Sequence, residues 1–228
     1  GLRDKGLFRE VIGVDLDPES RRMAVELGVV DRCEEDLAAA CVGADVIQLA
    51  VPILAMQKLL GALAQLPLGD AVLTDVGSAK GNVVRAAALA FGGVPPRFVP
   101  GHPIAGSEQS GVEASNGQLF RRHKVILTPL ADTDGAALQL VDRLWRELGA
   151  DVEHMEVEHH DEVLAATSHL PHLLAFGLVD SLAKRSENLE IFRYAAGGFR
   201  DFTRIAGSDP LMWHDIFLTN RDAVLRIL

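Results

Sequence analysis

The sequence is poor in basic residues and almost without cysteine. Its 228 residues include 22 Lys and Arg against 32 Asp and Glu, giving a formal net charge of −10. This balance, without any basic cluster, argues against a nucleic-acid-binding surface and favours small molecules as partners. Cys33 and Cys41 are the only cysteines, and their separation fits neither a disulfide framework nor a zinc knuckle. We expect two reduced thiols in a reducing compartment.

Long apolar runs are also missing. The longest apolar stretches, such as residues 173–179, are well short of the ~20 residues that cross a bilayer, and no signal peptide opens the chain. The composition, 48% hydrophobic and 24% charged, is typical of a soluble globular protein. The sequence therefore predicts a cytoplasmic protein with no membrane partner, long enough to bury a core.

Short β-branched runs alternate with helical patterns over most of the chain. Strands are predicted at residues 11–16, 44–51, 71–76, 97–100 and 124–129, with helices between them. This alternation predicts a Rossmann-type, doubly wound parallel sheet. Only helical segments follow, and from Val163 onward the pattern is apolar on most of the helix circumference, as in a bundle or a subunit interface. We predict a dinucleotide-binding α/β domain at residues 1–156 and an all-α domain at residues 157–228.

The glycine-rich fingerprint G-x-G-x-x-G is absent from the sequence. Asp15 nevertheless ends a predicted strand, and an acid at the end of a second Rossmann strand binds the ribose of NAD and repels the 2′-phosphate of NADP. Alternatively, Asp15 or Asp17 only caps the helix that begins near Pro18. Only 14 residues precede Asp15, too few for the fingerprint. We expect about 20 to 35 further residues upstream, carrying a central first strand and the glycine-rich turn.

Three other predicted strands end in residues suited to a site. They are Val51 and Pro52; Gly77, Ser78 and Lys80; and His102, Ser107 and Glu108. Because ligands of an open parallel sheet gather beyond the carboxyl ends of its strands, we expect these loops to share one crevice. Ser78 is also placed to be a helix N-cap. His102, between Gly101 and Pro103, is either a base that takes a proton near neutral pH or a locally hydrogen-bonded loop residue.

Four segments carry a family resemblance: DVGSAKG, GHPIAGSEQSGV, ATSHLPHLLAF and GGFRDFTRIAGSDPLMWHDIFLTN. In this order and spacing they resemble the prephenate dehydrogenase family, which includes arogenate and cyclohexadienyl dehydrogenases. The resemblance implies oxidative decarboxylation of prephenate to 4-hydroxyphenylpyruvate in tyrosine biosynthesis, with NAD rather than NADP as the cofactor. The sequence departs from the family where the glycine-rich strand and turn are absent and where the C-terminal helices end early.

The resemblance also implies roles for individual residues on the cofactor side. His102 accepts the proton of the substrate C4 hydroxyl, and Ser78 is its second partner. Asp15, Val51 and Pro52 are expected beside the cofactor, together with Ser78.

On the substrate side, the resemblance implies that Arg204 binds a carboxylate through its planar guanidinium. Without the resemblance, pairing of Arg204 with Asp201 would be the preferred interpretation. His172 is implied to bind the substrate side chain, and lies three residues from His169 on one helix face unless Pro171 kinks the helix. Ser107 and Glu108 are expected to shape the pocket, and Trp213 to be a core residue that packs against the substrate.

No metal site is predicted, because the chemistry needs no Lewis acid and the histidine spacing matches no standard site. The histidines considered are His154, His159, His160 and His169. Two alternative functions stay open: an arogenate-preferring or dual-specificity dehydrogenase, and a non-catalytic dinucleotide- or tyrosine-binding protein. The combination of His102, Ser78 and Arg204 argues against the second. We expect a homodimer, and the sequence leaves feedback inhibition by tyrosine open.

Overall fold

A computed structural model describes residues 1–106, 111–185 and 188–228 of the chain. The strands are β1 (Ile12–Val14), β2 (Arg32–Glu34), β3 (Val46–Leu49), β4 (Val72–Asp75), β5 (Phe98–Val99), β6 (Gly101–Pro103), β7 (Lys124–Leu127) and β8 (Asp151–His154). The α-helices are α1 (Pro18–Glu26), α2 (Leu37–Cys41), α3 (Met56–Leu63), α4 (Lys80–Phe91), α5 (Gly135–Glu147), α6 (Val157–Leu164), α7 (Leu170–Ala183), α8 (Asn188–Arg193), α9 (Gly197–Thr203), α10 (Pro210–Thr219) and α11 (Arg221–Ile227). A π-helical turn, Ala165–His169, joins α6 to α7.

The strands form a divided, mainly parallel sheet. β1 pairs with β2, and β3, β4 and β5 pair in that order, all in parallel. After Pro100 the chain continues from β5 into β6, which pairs antiparallel with β7, while β7 and β8 are parallel. Among the described residues, no strand pairing joins β1 to β3. The sequence predicts its additional central strand next to β1, and that strand stays a prediction.

Three strands, β2, β6 and β8, were not predicted, and the direction of β6 differs from the expectation. β2 and β8 are short and polar, and in β8 only Val152 is buried, so neither has an apolar period that a sequence pattern could show. The expectation of parallel strands throughout fails at β6, which runs against β7. The predicted strands occur in shorter form, which is the usual error at element ends.

The α/β part has two buried apolar clusters, one on each side of the sheet region. Met56, Leu60 and Leu63 of α3 pack with Val83 and Ala87 of α4, and all five side chains are fully buried. The second cluster lies beneath α5 and includes Val125, Leu127, Val141 and Trp145. Leu73 of β4 belongs to the first cluster and Val72 to the second, so β4 is packed on both faces.

The all-α part is organised around one continuous helix, Val157–Ala183, made of α6, the π-helical turn and α7. By length and composition alone this helix could cross a membrane, which corrects the expectation that no segment is long enough. Its inner side packs on α4 and on α11, and it buries His160 and His169. Only part of this helix is covered within the described residues, because 22% of its apolar window is buried.

We expect Leu60→Ala to lower the free energy of unfolding by about 2–5 kcal/mol, because the truncation leaves a cavity in the cluster between α3 and α4. Leu89→Ala is the matched control, since Leu89 is 75% exposed on α4, and it should change stability by no more than about 0.5 kcal/mol. Urea unfolding followed by circular dichroism measures both. Equal effects of the two substitutions would contradict the assignment of this core.

Candidate active site

His102 lies within a strand rather than in the loop that the sequence suggested. It is buried in β6, opposite Ile126 of β7. A side-chain carbon on the preceding Gly101 would lie 3.2 Å from the Asp75 carbonyl oxygen. The glycine therefore permits the close approach of β6 to β4 that sets His102 at the end of β4.

A buried ion pair fixes this approach. The Lys80 ammonium donates to the Asp75 carboxylate and, at 2.6 Å, to the Gly101 carbonyl, while Asp75 accepts from the Gly101 amide at 3.1 Å. Both charged side chains are fully buried. Burial lowers the pKa of Lys80, and the neighbouring Asp75 opposes that shift. The pair thus ties the end of β4, the start of α4 and the start of β6 together beside His102.

His102 begins a chain of hydrogen bonds that reaches into the all-α part. His102 Nδ1 lies 2.9 Å from His160 Nε2, and His160 Nδ1 lies 2.9 Å from Asp161 Oδ1. The Asp161 carboxylate also accepts from the Lys80 amide at 2.8 Å and from the Gly81 amide at 2.9 Å. Asp161, on α6, is therefore what caps the N-terminus of α4. Ser78 does not do so, because α4 begins at Lys80 after Ala79 with no cap from its own segment.

The ionised Asp161 determines where the protons of this chain lie. Burial raises the pKa of Asp161, but the His160 hydrogen bond and the two backbone amides outweigh it, and the pKa lies below its ordinary value. A carboxylate only accepts, so His160 carries its proton on Nδ1 and accepts on Nε2. His102 must then donate from Nδ1, which leaves the lone pair on its Nε2.

His102 is held neutral as well as oriented. Burial holds the pKa of His102 well below its usual value, and the charges of His160, Lys80 and His169 act in the same direction. A neutral imidazole with a free lone pair is a proton acceptor. We call the chain of His102, His160 and Asp161 the relay.

A second histidine is fixed beside the relay by Asn220. The Asn220 side-chain nitrogen lies 2.8 Å from the Asp161 backbone carbonyl and 3.0 Å from His169 Nδ1. Burial is the main cause that lowers the pKa of His169 to about 4. His169 ends the π-helical turn, which immediately precedes α7, where Pro171 lies in the first turn. The helix passes Pro171 by this local change of winding.

The predicted substrate residues lie on the other side of His169. The His172 ring stacks on Trp213, with ring centroids 3.6 Å apart, and His172 Nδ1 donates to the Ser168 carbonyl at 2.9 Å. Burial lowers the pKa of His172, and the positive charge of Arg204 contributes, which places Arg204 within electrostatic range. Trp213 is buried, as expected of a core residue. The structure thus brings His172, Trp213 and Arg204 together.

The predicted cofactor residues lie at strand ends. Asp17 caps α1 by accepting from the amides of Glu19 and Ser20. The exposed Asp15 accepts from the Asp17 amide at 2.8 Å, so it is not the cap. Val51 and Pro52 follow β3, and Ser78 follows the adjacent β4. Ser107 and Glu108 lie outside the described residues.

Sequence reasoning missed His160 and Asp161 as members of the site and did not assign His169 or Asn220 to it. It placed Lys80 at a strand end near the site but gave it no role. His160 and His169 were considered only as metal ligands. Their hydrogen-bond partners His102 and Asn220 are distant in the chain. No spacing rule connects a residue of α6 to the start of α4. The acidic residue directly after His160 was the only local signal.

Two family profiles match the chain. The profile "Prephenate dehydrogenase, nucleotide-binding domain" matches residues 1–154, and the profile "Prephenate dehydrogenase, dimerization domain" matches residues 156–228. This chain belongs to the prephenate dehydrogenase family.

Individual relatives agree with this assignment. The chain is 41% identical to the cyclohexadienyl dehydrogenase of Zymomonas mobilis over 212 residues, which cover 91% of this chain and 70% of that protein. It is 39% identical to the prephenate dehydrogenase of Bacillus subtilis, covering 95% of this chain but only 59% of that protein. The crystal structure of prephenate dehydrogenase from A. aeolicus in complex with hydroxyphenyl propionate and NAD+ matches with a TM-score of 0.90 and 43% identity, over 99% of this chain and 78% of that one. The family, the fold class and the dehydrogenase class expected from the sequence are confirmed.

We expect Lys80→Met to destabilise the protein by about 3–5 kcal/mol, because Asp75 would remain buried without a counter-charge. Lys184→Met is the control: Lys184 makes a comparable pair with Asp180 at 2.6 Å, but is 73% exposed. Its loss should cost no more than about 1 kcal/mol. Urea unfolding compares the two variants, and similar small effects would show that the buried pair does not support the site.

Proposed function

We propose that this chain catalyses the NAD-dependent oxidative decarboxylation of prephenate to 4-hydroxyphenylpyruvate. The observation that carries the proposal is the relay. It presents a neutral histidine at the end of β4, and no hydrogen bond to the acceptor atom of that histidine is found within the described part of the chain. In a member of the prephenate dehydrogenase family, a base is what the C4 hydroxyl of the substrate needs. The family membership supplies the substrate class, and the relay supplies the chemistry.

In the proposed reaction, His102 moves a proton and Asp161 stabilises the resulting charge. His102 Nε2 takes the proton of the C4 hydroxyl. Bound NAD would supply the acceptor for the hydride that leaves C4. The bond between C1 and its carboxylate then breaks, carbon dioxide leaves, and its electron pair makes the ring aromatic and passes to the C4 oxygen. His102 returns the proton to that oxygen, so the relay holds the substrate's proton temporarily and ends in its starting protonation state. Asp161 stabilises the positive charge that His102 and His160 share in between.

Substrate binding must place positive charge locally in an acidic chain. Arg204 suits a substrate carboxylate, because a guanidinium makes two parallel hydrogen bonds to one. The stacked pair of His172 and Trp213 offers a flat apolar face with a polar nitrogen at its edge. These residues come from the all-α part, whereas His102 comes from the sheet, so we infer that the substrate lies between the two parts.

Asp15 suits the adenosine ribose of NAD, because Asp17 already caps α1 and leaves Asp15 exposed at the end of β1. A carboxylate there repels the 2′-phosphate of NADP. Val51, Pro52 and Ser78 lie at the ends of the next two parallel strands and complete this side. The glycine-rich turn expected for the pyrophosphate remains a prediction.

An arogenate or dual-specificity activity is the second candidate. His172 donates from Nδ1 to Ser168, so its Nε2 accepts when the ring is neutral. An acceptor suits the ammonium group of arogenate, whereas the keto group of prephenate needs a donor at this position.

We also infer a cytoplasmic homodimer. The match of residues 156–228 to a dimerization-domain profile supports an interface supplied by residues 157–228. Feedback inhibition by tyrosine stays an open question that a competition assay can answer.

We expect His102→Asn to lower kcat by about 10²–10⁴-fold while leaving NAD affinity nearly unchanged, since the base acts in the chemical step. In the wild type, activity is lost as pH falls through the pKa of the base. Because that pKa lies below the usual 6.5 of histidine, kcat/KM should hold at pH values where an ordinary histidine is already protonated.

The measurement is formation of reduced cofactor from prephenate and NAD across pH. His123→Asn, at an exposed histidine, is the control and should match the wild type. No turnover of prephenate or arogenate with either cofactor would refute the proposed function. Normal turnover by His102→Asn would refute only the assignment of the base.

Arg204→Gln should act mainly through binding, because the amide keeps hydrogen bonds but loses the charge that holds a carboxylate. We expect KM for prephenate to rise by about tenfold or more, with a smaller change in kcat. Arg226→Gln, at an exposed arginine on α11, is the matched control. Equal KM values in the two variants would remove Arg204 from the site.

A further inference from the structure

His169 is buried beside the relay, yet the reaction described above gives it no role. It is 1% exposed, and its Nδ1 lies 3.0 Å from the Asn220 side-chain nitrogen. That nitrogen also lies 2.8 Å from the Asp161 backbone carbonyl, which can only accept. The amide group must therefore turn its N–H groups toward both partners, and His169 Nδ1 is an acceptor. The single proton of the neutral ring is on Nε2.

The His169 ring lies next to both the predicted base and the predicted substrate residues. Its centroid is 6.1 Å from that of Trp213, in an edge-to-face arrangement, and Trp213 in turn stacks on His172. Asn220 links His169 to Asp161 of the relay, and the charge of His169 also acts on the pKa of His102. Within the described ranges of the chain, no hydrogen bond from Nε2 is found, and Nε2 is not among the side-chain atoms that are both fully buried and unpartnered. Its N–H is therefore accessible, and in such a place it points to an acceptor on a ligand.

We propose that His169 is a catalytic residue whose Nε2–H donates a hydrogen bond to the C4 oxygen of the substrate. This inference rests on the proposed function. When carbon dioxide leaves, the electron pair of the broken bond turns the C4 carbonyl oxygen into a phenolate oxygen, which keeps its negative charge until His102 returns the proton. A neutral donor fixed in advance stabilises that charge without surrendering its own proton.

Two substitutions separate this role from a structural one. Asparagine places an acceptor near the position of Nδ1 and removes the Nε2 donor, whereas glutamine places a donor near Nε2 and removes the acceptor for Asn220. If His169 is the donor, His169→Asn lowers kcat by about 10²–10³-fold, and His169→Gln recovers at least about tenfold of that loss. If His169 only holds Asn220, the order reverses, and His169→Gln is the more damaged variant.

The assay is steady-state turnover of prephenate with NAD by the full chain, with thermal unfolding of each variant measured in parallel. A wild type without turnover would count against the proposed function itself. An active wild type with His169→Asn equal to it, or with the reverse order of the two variants, would overturn the role of His169 and leave the proposed function standing.

The position of the proton is measurable without turnover. Long-range ¹H–¹⁵N spectra of the histidine-labelled chain, with His169→Asn used to assign the signal, should show His169 protonated on Nε2 at neutral pH. Addition of 4-hydroxyphenylpyruvate should shift this Nε2 signal, because the phenol oxygen becomes its acceptor. A proton on Nδ1, or a signal that the ligand leaves unmoved, would overturn the inference.

Discussion

The Asp161 carboxylate accepts hydrogen bonds from the first two backbone amides of α4 and from His160, and the rest of the site depends on this arrangement. The amides at a helix N-terminus favour a negative charge, so α4 keeps Asp161 ionised although the residue is largely buried. The charge in turn fixes the proton of His160, and through His160 that of His102. The Asp161 carboxylate thus determines which nitrogen of His102 carries the proton, although His102 is two hydrogen bonds away.

The same contact joins the two parts of the chain. Asp161 belongs to the long helix of the all-α part, and α4 follows the strand that ends in Asp75. Asn220 adds a third element by holding the Asp161 carbonyl and His169 together. The hydrogen bonds that set the tautomer of His102 therefore depend on the contact between the all-α part and the sheet.

The sequence predicted those features that are visible in residues close to each other along the chain. The alternation of strands and helices and the change to an all-α part follow from periodicity, and the family follows from the segments that resemble it. β2 and β8 were missed because a short edge strand buries too few residues to show a period. The relay was missed for a different reason: His102 and His160 are 58 residues apart, and Asp161 caps a helix that begins 81 residues earlier. Such pairs exist only once the packing is known, whereas the Asp17 cap, two residues from its first partner, is visible in the sequence.

Burial of so many polar groups opposes folding. Two arrangements in the site offset this cost. Lys80 and Asp75 are paired and bonded to backbone groups, so the pair leaves little hydrogen-bonding capacity unused. The histidines lower the cost of their burial in another way, by remaining neutral. A neutral imidazole is cheaper to bury than a cation, and it is also the form that a base and a neutral donor require. The stability of the fold and the proposed reaction therefore both favour neutral histidines. The two requirements differ only when, in the proposed reaction, His102 receives a proton, and the Asp161 carboxylate is then in place to stabilise the charge.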